Sequence, residues 1–288
     1  MLKSSLPPNL AALEAESIFI LREVAAECER PALLYSGGKD SAVVLHLASK
    51  AFFPGALPFP LLHIDTGHNY PEVISYRDEM AKRYKAQLLV RTLDESIARG
   101  TVVLRDPLES RNAHQSVTLL EAIAELKLDA CIGGARRDEE KARAKERIFS
   151  FRDQHGAWNP KNQRPELWNL FNTRTIKGEN IRAFPISNWT EMDVWQYISH
   201  QSIPLPSIYF AHFREVVKRE ELLVPVTHLT PMKEGETPLR LSCRFRTVGD
   251  ITCTAPIASK ADTIEAVILE TLTANVTERG ATRLDDKS

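Results

Sequence analysis

The stretch Ala32-Leu33-Leu34-Tyr35-Ser36-Gly37-Gly38-Lys39-Asp40-Ser41 constrains the fold more than any other part of the chain. A short apolar run enters a glycine-rich turn, and from Ser41 to Phe52 the residues Val43, Val44 and Leu47 recur on one helical face. This pattern is a strand, a tight loop and a helix, the unit from which parallel sheets are assembled. Gly37 and Gly38 let the backbone take positive φ and approach a ligand closely. Successive N–H groups can then converge on phosphate oxygens, with the positive end of the helix dipole behind them. Lys39 adds a mobile point charge, and Ser36 and Ser41 add hydroxyl donors. The loop is not a Walker A loop, which requires glycine where Leu33 stands and Ser or Thr where Asp40 stands. Its bland alternative is a Gly-Gly turn with a solvated Lys and Asp, which the strand–helix context disfavours.

The same unit recurs downstream. Leu61 to Ile64 reads as a strand, Pro71 opens a helix to about Tyr84, and Gln87 to Val90 reads as a third strand. Ser116 to Leu126 reads as an amphipathic helix and Asp129 to Gly133 as a buried strand ending in glycines. Leu10, Leu13, Ile20, Leu21 and Val24 mark a covering helix between Pro8 and Pro31. The expected fold is α/β, a parallel twisted sheet flanked by helices, with ligands at the carboxyl ends of the strands. After about Phe149 the chain turns polar, aromatic and proline-rich. Its clear helices there are Thr190 to His200, opened by a Thr190/Asp193 capping box, and about Ala261 to Thr273. Residues 1–150 therefore read as a nucleotide-binding core, and 151–288 as a smaller irregular region for capping and partner contact.

Composition narrows the partners. A formal net charge of -1 leaves no global basic field for nucleic acid or an anionic membrane. No apolar run approaches the roughly 20 residues of a membrane span, and the start does not resemble a secretory signal, so a cytoplasmic location is expected. Cys28, Cys131, Cys243 and Cys253 form no Cys-x-x-Cys pair and read as reduced structural residues.

The segment Gly133-Gly134-Ala135-Arg136-Arg137 through Arg147 packs six cations and four carboxylates together. It is either a solvated charged helix or a clamp in which Arg136 and Arg137, just past a strand, grip phosphate or sulfate oxygens, with Arg143 and Arg147 as a second pair on one helix face. Asp65 and Thr66 end the second strand beside the first loop, where they can meet a nucleotide or a magnesium ion. His63 reads as an ordinary strand side chain.

These residues carry a resemblance. Ser36 to Ser41 resembles the pyrophosphate loop of the PP-loop ATP pyrophosphatases, and Leu62-His63-Ile64-Asp65-Thr66-Gly67-His68-Asn69-Tyr70-Pro71 resembles the second-strand motif of the branch holding phosphosulfate reductases and sulfate adenylyltransferases. Gly133 to Arg147, Trp158-Asn159-Pro160-Lys161, Leu167 to Asn172 and Phe184 to Glu191 are similar, almost residue for residue, to the small-subunit family of the latter. The resemblance runs from about residue 30 to about 255 and includes Arg244-Phe245-Arg246; it departs at Asp250 to Thr254, where many relatives carry Gly-Cys. It implies an adenine nucleotide alpha hydrolase-like fold and a reaction of ATP with sulfate, giving adenosine 5′-phosphosulfate and diphosphate. Ser36, Gly37, Gly38, Lys39, Asp40, Ser41, Asp65 and Thr66 would meet the nucleotide. Asp40 and Asp65 would meet Mg2+, and Lys39, Arg136, Arg137, Arg143 and Arg147 would serve catalysis. It also implies a GTPase large subunit that drives this uphill step at the start of sulfate assimilation. Three rivals fit less well. A reductase needs a Glu-Cys-Gly cysteine, which none of the four is; an RNA-modifying relative wants a basic surface or zinc cysteines; a non-catalytic regulator needs no dense arginine segment.

Overall fold

The computed structural model describes residues 5–106, 108–139, 146–161, 163, 166–176 and 178–273. Strands β1 (Pro31–Leu34), β2 (Leu61–Asp65), β3 (Leu88–Thr92), β4 (Ala130–Ile132), β5 (Phe149–Arg152) and β6 (Asn180–Ala183) form one sheet in the order β3-β2-β1-β4-β6-β5. All neighbours are parallel except β5 with β6. The central β1 is paired on both edges, and its first three residues are buried, which is why its sequence is an unbroken apolar run without polar alternation.

The helices are α1 (Pro8–Glu27), α2 (Lys39–Phe52), α3 (Pro71–Arg83), α4 (Leu93–Ala98), α5 (Gln115–Leu126), α6 (Glu191–Gln201) and α7 (Ile264–Thr273). Strand alternation divides the sheet between two apolar layers. Leu33, Leu61, Ile132, Ile181 and Ala183 face the larger core with residues of α1, α2, α3, α6 and α7. Ala32, Leu62 and Cys131 face the other side, against Ala122 and Ile123 of α5. The sheet is therefore covered on both faces, as the βαβ pattern demands.

Several features lay outside the sequence reading. The short α4 follows β3 through a capping box of Thr92 and Glu95. Strands β5 and β6 belong to the main sheet although they fall beyond the change of character near residue 150; each is only four residues long and mixes polar with apolar side chains. The proline-interrupted stretch holds a second, antiparallel sheet of β7 (His212–Arg219), β8 (Leu222–Pro225), β9 (Leu239–Arg244) and β10 (Ile257–Ala258), in the order β10-β9-β7-β8. Its strands are too short and too polar on one side to produce a readable period.

Ion pairs fasten this second sheet to the first unit. Arg244 Nε lies 3.0 Å from Glu270 of α7, and Arg246 Nη2 lies 2.9 Å from Glu191 at the start of α6. Both arginines are buried. Trp189 and Trp195 are fully buried core residues, and the capping box of Thr190 with Asp193 forms as the sequence predicts. Among the described residues no helix is long and apolar enough to cross a membrane. All four cysteines are free thiols.

Candidate functional site

From the central β1 the chain builds β2 and β3 on one side and β4, β6 and β5 on the other, so the loops leaving β1 and β4 diverge and open a crevice beyond their carboxyl ends. A cavity of about 660 Å3 lies there, within the ~300–1,000 Å3 usual for small-molecule sites. Ser36, Gly38, Asp40 and Ser41 line it from the first loop, and Gly133, Gly134 and Ala135 from the loop after β4. Leu34, Leu62, Ile64, Leu119 and Cys131 give it an apolar floor. Tyr209 and Thr247 to Asp250, from the C-terminal part, supply a further wall.

The first loop is built to present backbone donors. Gly38 caps α2 in an extended conformation without a side-chain hydrogen bond, so no side chain of the helix's own cap covers its opening N–H groups. The Lys39 N–H donates to the Tyr209 hydroxyl at 2.9 Å. Gly37 has φ +77°, and a Cβ there would fall 2.8 Å from Val73 Cγ1, so both backbone and space require glycine. The Ser41 hydroxyl donates to the Gly38 carbonyl at 2.8 Å and lies 3.3 Å from Ser36 Oγ. Gly134 lets the second loop press on the start of α2, since a Cβ there would sit 3.1 Å from Asp40 backbone and side-chain carbons.

Charge in this region is densely paired. Lys39 Nζ lies 2.9 Å from Asp40 Oδ2 and Arg136 Nε lies 2.8 Å from Asp40 Oδ1. Lys39 and Arg136 are each only 1% exposed. Burial pushes the Asp40 carboxyl up, but Lys39 and Arg136 outweigh it and hold the group at about 2. Arg136 continues to Asp138 at 3.3 Å, and Asp138 accepts the Glu191 N–H at 3.0 Å, so the chain of charges ends on the N-terminus of α6.

The other arginines of this segment take different places. Arg137 Nη1 donates to Asn188 Oδ1 at 2.8 Å, and Arg147 is exposed. Among the described residues neither they nor Arg136 lines the cavity. Arg143 falls outside the described residues, as do residues 140–142 and 144–145 of the same segment.

At the end of β2, Asp65 Oδ1 accepts the Gly67 N–H at 2.8 Å, and its Oδ2 lies 3.6 Å from Arg77. The Thr66 hydroxyl donates to Asp250 Oδ1 at 2.7 Å, and Arg111 donates to the Thr66 carbonyl at 2.7 Å. Neither Asp65 nor Thr66 lines the cavity; Asn69 and Asp250, both hydrogen-bonded to Thr66, do. Magnesium does not fit these donors as arranged. Asp40 is committed to two cations and Asp65 to an N–H and a guanidinium, and among the described residues no three His, Cys, Asp or Glu side chains gather into a metal site. His63 is a buried strand residue whose Nδ1–H donates to the Tyr35 carbonyl at 2.8 Å; burial lowers its pKa and keeps it neutral.

Sequence reasoning missed Tyr209, Asn69, Asp250, Arg152 and Arg182 as cavity residues. Arg182 carried no signal, since β6 is only four residues long and half polar. Tyr209 and Asp250 carried none, because only the second sheet's docking brings them to the loop.

Fold and site together define a nucleotide-binding α/β protein of the PP-loop type. The model of the phosphoadenosine phosphosulfate reductase domain family matches residues 30–256. The chain is 59% identical over 280 residues to sulfate adenylyltransferase subunit 2 of Mycolicibacterium vanbaalenii, covering 97% of this chain and 90% of the relative. It is 58% identical to the same subunit of Mycobacterium tuberculosis over equal shares. The chain belongs to the sulfate adenylyltransferase subunit 2 family, a family of nucleotidyltransferases. Among solved structures, Candida glabrata FMN adenylyltransferase in complex with ATP shares the fold at 16% identity and a TM-score of 0.51, covering 96% of this chain and 88% of that one.

Proposed function

We propose that this chain is the catalytic small subunit that joins sulfate to the AMP moiety of ATP. A sulfate oxygen attacks the α-phosphorus, the bond from that phosphorus to the β-phosphate bridging oxygen breaks, and diphosphate leaves. The products are adenosine 5′-phosphosulfate and diphosphate, at the entry to sulfate assimilation. The observation that carries this reading is the first loop: an α-helix start capped by Gly38, which brings no side chain, with two hydroxyls, facing a cavity with an apolar floor at the switch point of the sheet. The floor suits an adenine ring, and the loop suits the diphosphate that becomes the leaving group.

Sulfate is already an anion and needs no base, so positioning and charge neutralisation carry the rate. In this reading Ser36, Gly37, Gly38, Lys39 and Ser41 hold phosphate oxygens. Asp40 holds Lys39 and Arg136 in place, Thr66 supports Asn69 and Asp250, and Asp65 braces the turn at Gly67 beside Arg77. Arg137, Arg143 and Arg147 serve the reaction from the rim. Magnesium enters bound to the ATP phosphates. A GTPase large subunit supplies the driving force, and residues 151–288 cap the cavity and meet that partner, while β5 and β6 complete the core sheet.

The experiment is sulfate-dependent exchange of labelled diphosphate into ATP, with the GTPase subunit and GTP present. Exchange that requires sulfate and is lost in Lys39→Ala supports adenylation at this loop. Intact ATP binding without exchange would sink the reading.

A further inference from the structure

The cavity extends past the glycine loop. Beyond Gly133 and Phe184 its wall includes Arg182 of β6, Arg152 of β5, and Gln115 and Ser116 from the start of α5. Register puts the two arginines on one face. Arg182 pairs with Cys131, which is buried beneath α5, and Ser150 stands directly across from Arg182, with Arg152 two residues further on the same strand.

The two guanidinium groups are not equivalent. Arg152 Nη2 has a carboxylate, Glu146, at 2.8 Å. Arg182 forms no ion pair and no side-chain hydrogen bond with any described residue. Three carboxylates line the cavity, and none pairs with Arg182: Asp40 is held by Lys39 and Arg136, Asp250 accepts from Thr66, and Glu139 lies in the loop after β4. Directly opposite Arg182, the Ser150 hydroxyl is fully buried and has no partner among the described residues. A cation without a counter-charge among the described residues, beside a second arginine and a buried hydroxyl likewise without a described partner, is a site that an anion completes.

Place in the sheet separates this anion from the one at the loop. In-line transfer puts the attacking and leaving groups on opposite sides of phosphorus. The loop follows β1, and β6 lies beyond β4, two strand spacings or about 10 Å across the sheet. We propose that Arg182 is the ligand of the attacking tetrahedral oxyanion, a second anion subsite opposite the diphosphate loop, with Arg152 setting the local field. This rests on the adenylylating reading and names the residue that recognises its acceptor.

The test is a sulfate titration of diphosphate–ATP exchange by the complete two-subunit enzyme at saturating ATP and GTP, for wild type, Arg182→Ala, Arg182→Gln and Arg182→Lys. Losing a charged hydrogen-bonding partner is expected to raise the KM for sulfate roughly 10- to 100-fold in the Ala and Gln variants. The KM for ATP should stay within about 2-fold, since uniform loss at one ligand leaves the other unaffected. Lys should restore part of the sulfate affinity. Equilibrium dialysis with ATP identifies folded variants, and Gln, which keeps the aliphatic stem and a polar uncharged end, stands in if Ala does not fold. An unchanged sulfate KM, or an ATP KM raised by the same factor, overturns the assignment. Absence of sulfate-dependent exchange in wild type instead removes the parent reading, so the two failures are distinguishable.

Discussion

The loops after β1 and β4 are written in nearly the same language. Each follows a buried strand, each carries two adjacent glycines, and each continues into lysine or arginine close to an aspartate. Their fates differ. In the first, the glycines and serines present N–H and hydroxyl groups to the cavity. In the second, Gly134 packs on α2, and Arg136 turns away to brace Asp40 and Asp138. A cation after a glycine pair therefore does not by itself mark a ligand site. Lys39 and Arg136 share the Asp40 carboxylate, and what sets the first loop apart is that Ser36, Gly38 and Ser41 line the cavity with hydroxyls and backbone.

The comparison breaks most visibly at Lys39. Replacement by Ala is expected to lower exchange by about 10²-fold or more, the scale of removing a donor from a charge-stabilising site. Activity within a few-fold of wild type would mean that the first loop works through its backbone alone. Arg136→Met should act on the fold instead, lowering unfolding free energy in urea by roughly 2 kcal/mol. That is less than the ~3–5 kcal/mol of an abandoned buried charge, because Lys39 stays on Asp40. If stability were intact and exchange lost, the second loop would belong to the reacting centre after all.

Gly37→Ala sharpens the contrast from the other side. A left-handed φ and a contact with Val73 should together cost about 1–3 kcal/mol, read from the urea midpoint. A smaller effect follows pH. The Asp40 carboxyl sits at about 2 in the folded chain, below its ordinary 3.8. Its contribution to stability is thus complete above about 3.8 and fades as pH falls toward about 2. Wild type and Asp40→Asn should therefore differ in unfolding free energy near neutral pH and converge toward pH 2; a constant gap across that window argues against the ion pairs as its source. Arg147→Ala is expected to change least, by under about 0.5 kcal/mol in stability, because the side chain is exposed.

Legibility followed locality. The βαβ core was readable because each element carries its own period, and the first loop because its glycines, hydroxyls and lysine are contiguous. Strands β5 and β6 were not, since four residues with mixed polarity give no period, and the second sheet was hidden by its prolines and short strands. The site divided in the same way. Ser36 to Ser41 announced itself, whereas Tyr209, Asp250 and Arg182 reach the cavity only through packing between segments far apart in the chain. The buried ion pairs of Arg244 and Arg246 were equally invisible, because their partners, Glu270 and Glu191, lie 26 and 55 positions away.

The hydrogen bond from Lys39 to Tyr209 spans 170 positions. It sets a clock as well as a contact. A ribosome finishes the glycine loop early, yet that loop lacks one of its fixed partners until Tyr209 has emerged, and the cavity lacks a wall until Asp250 follows. A nascent chain halted between these points holds a sheet core but an unfinished nucleotide site, so competence to bind arrives late in synthesis, close to the moment when the chain is ready for its partner.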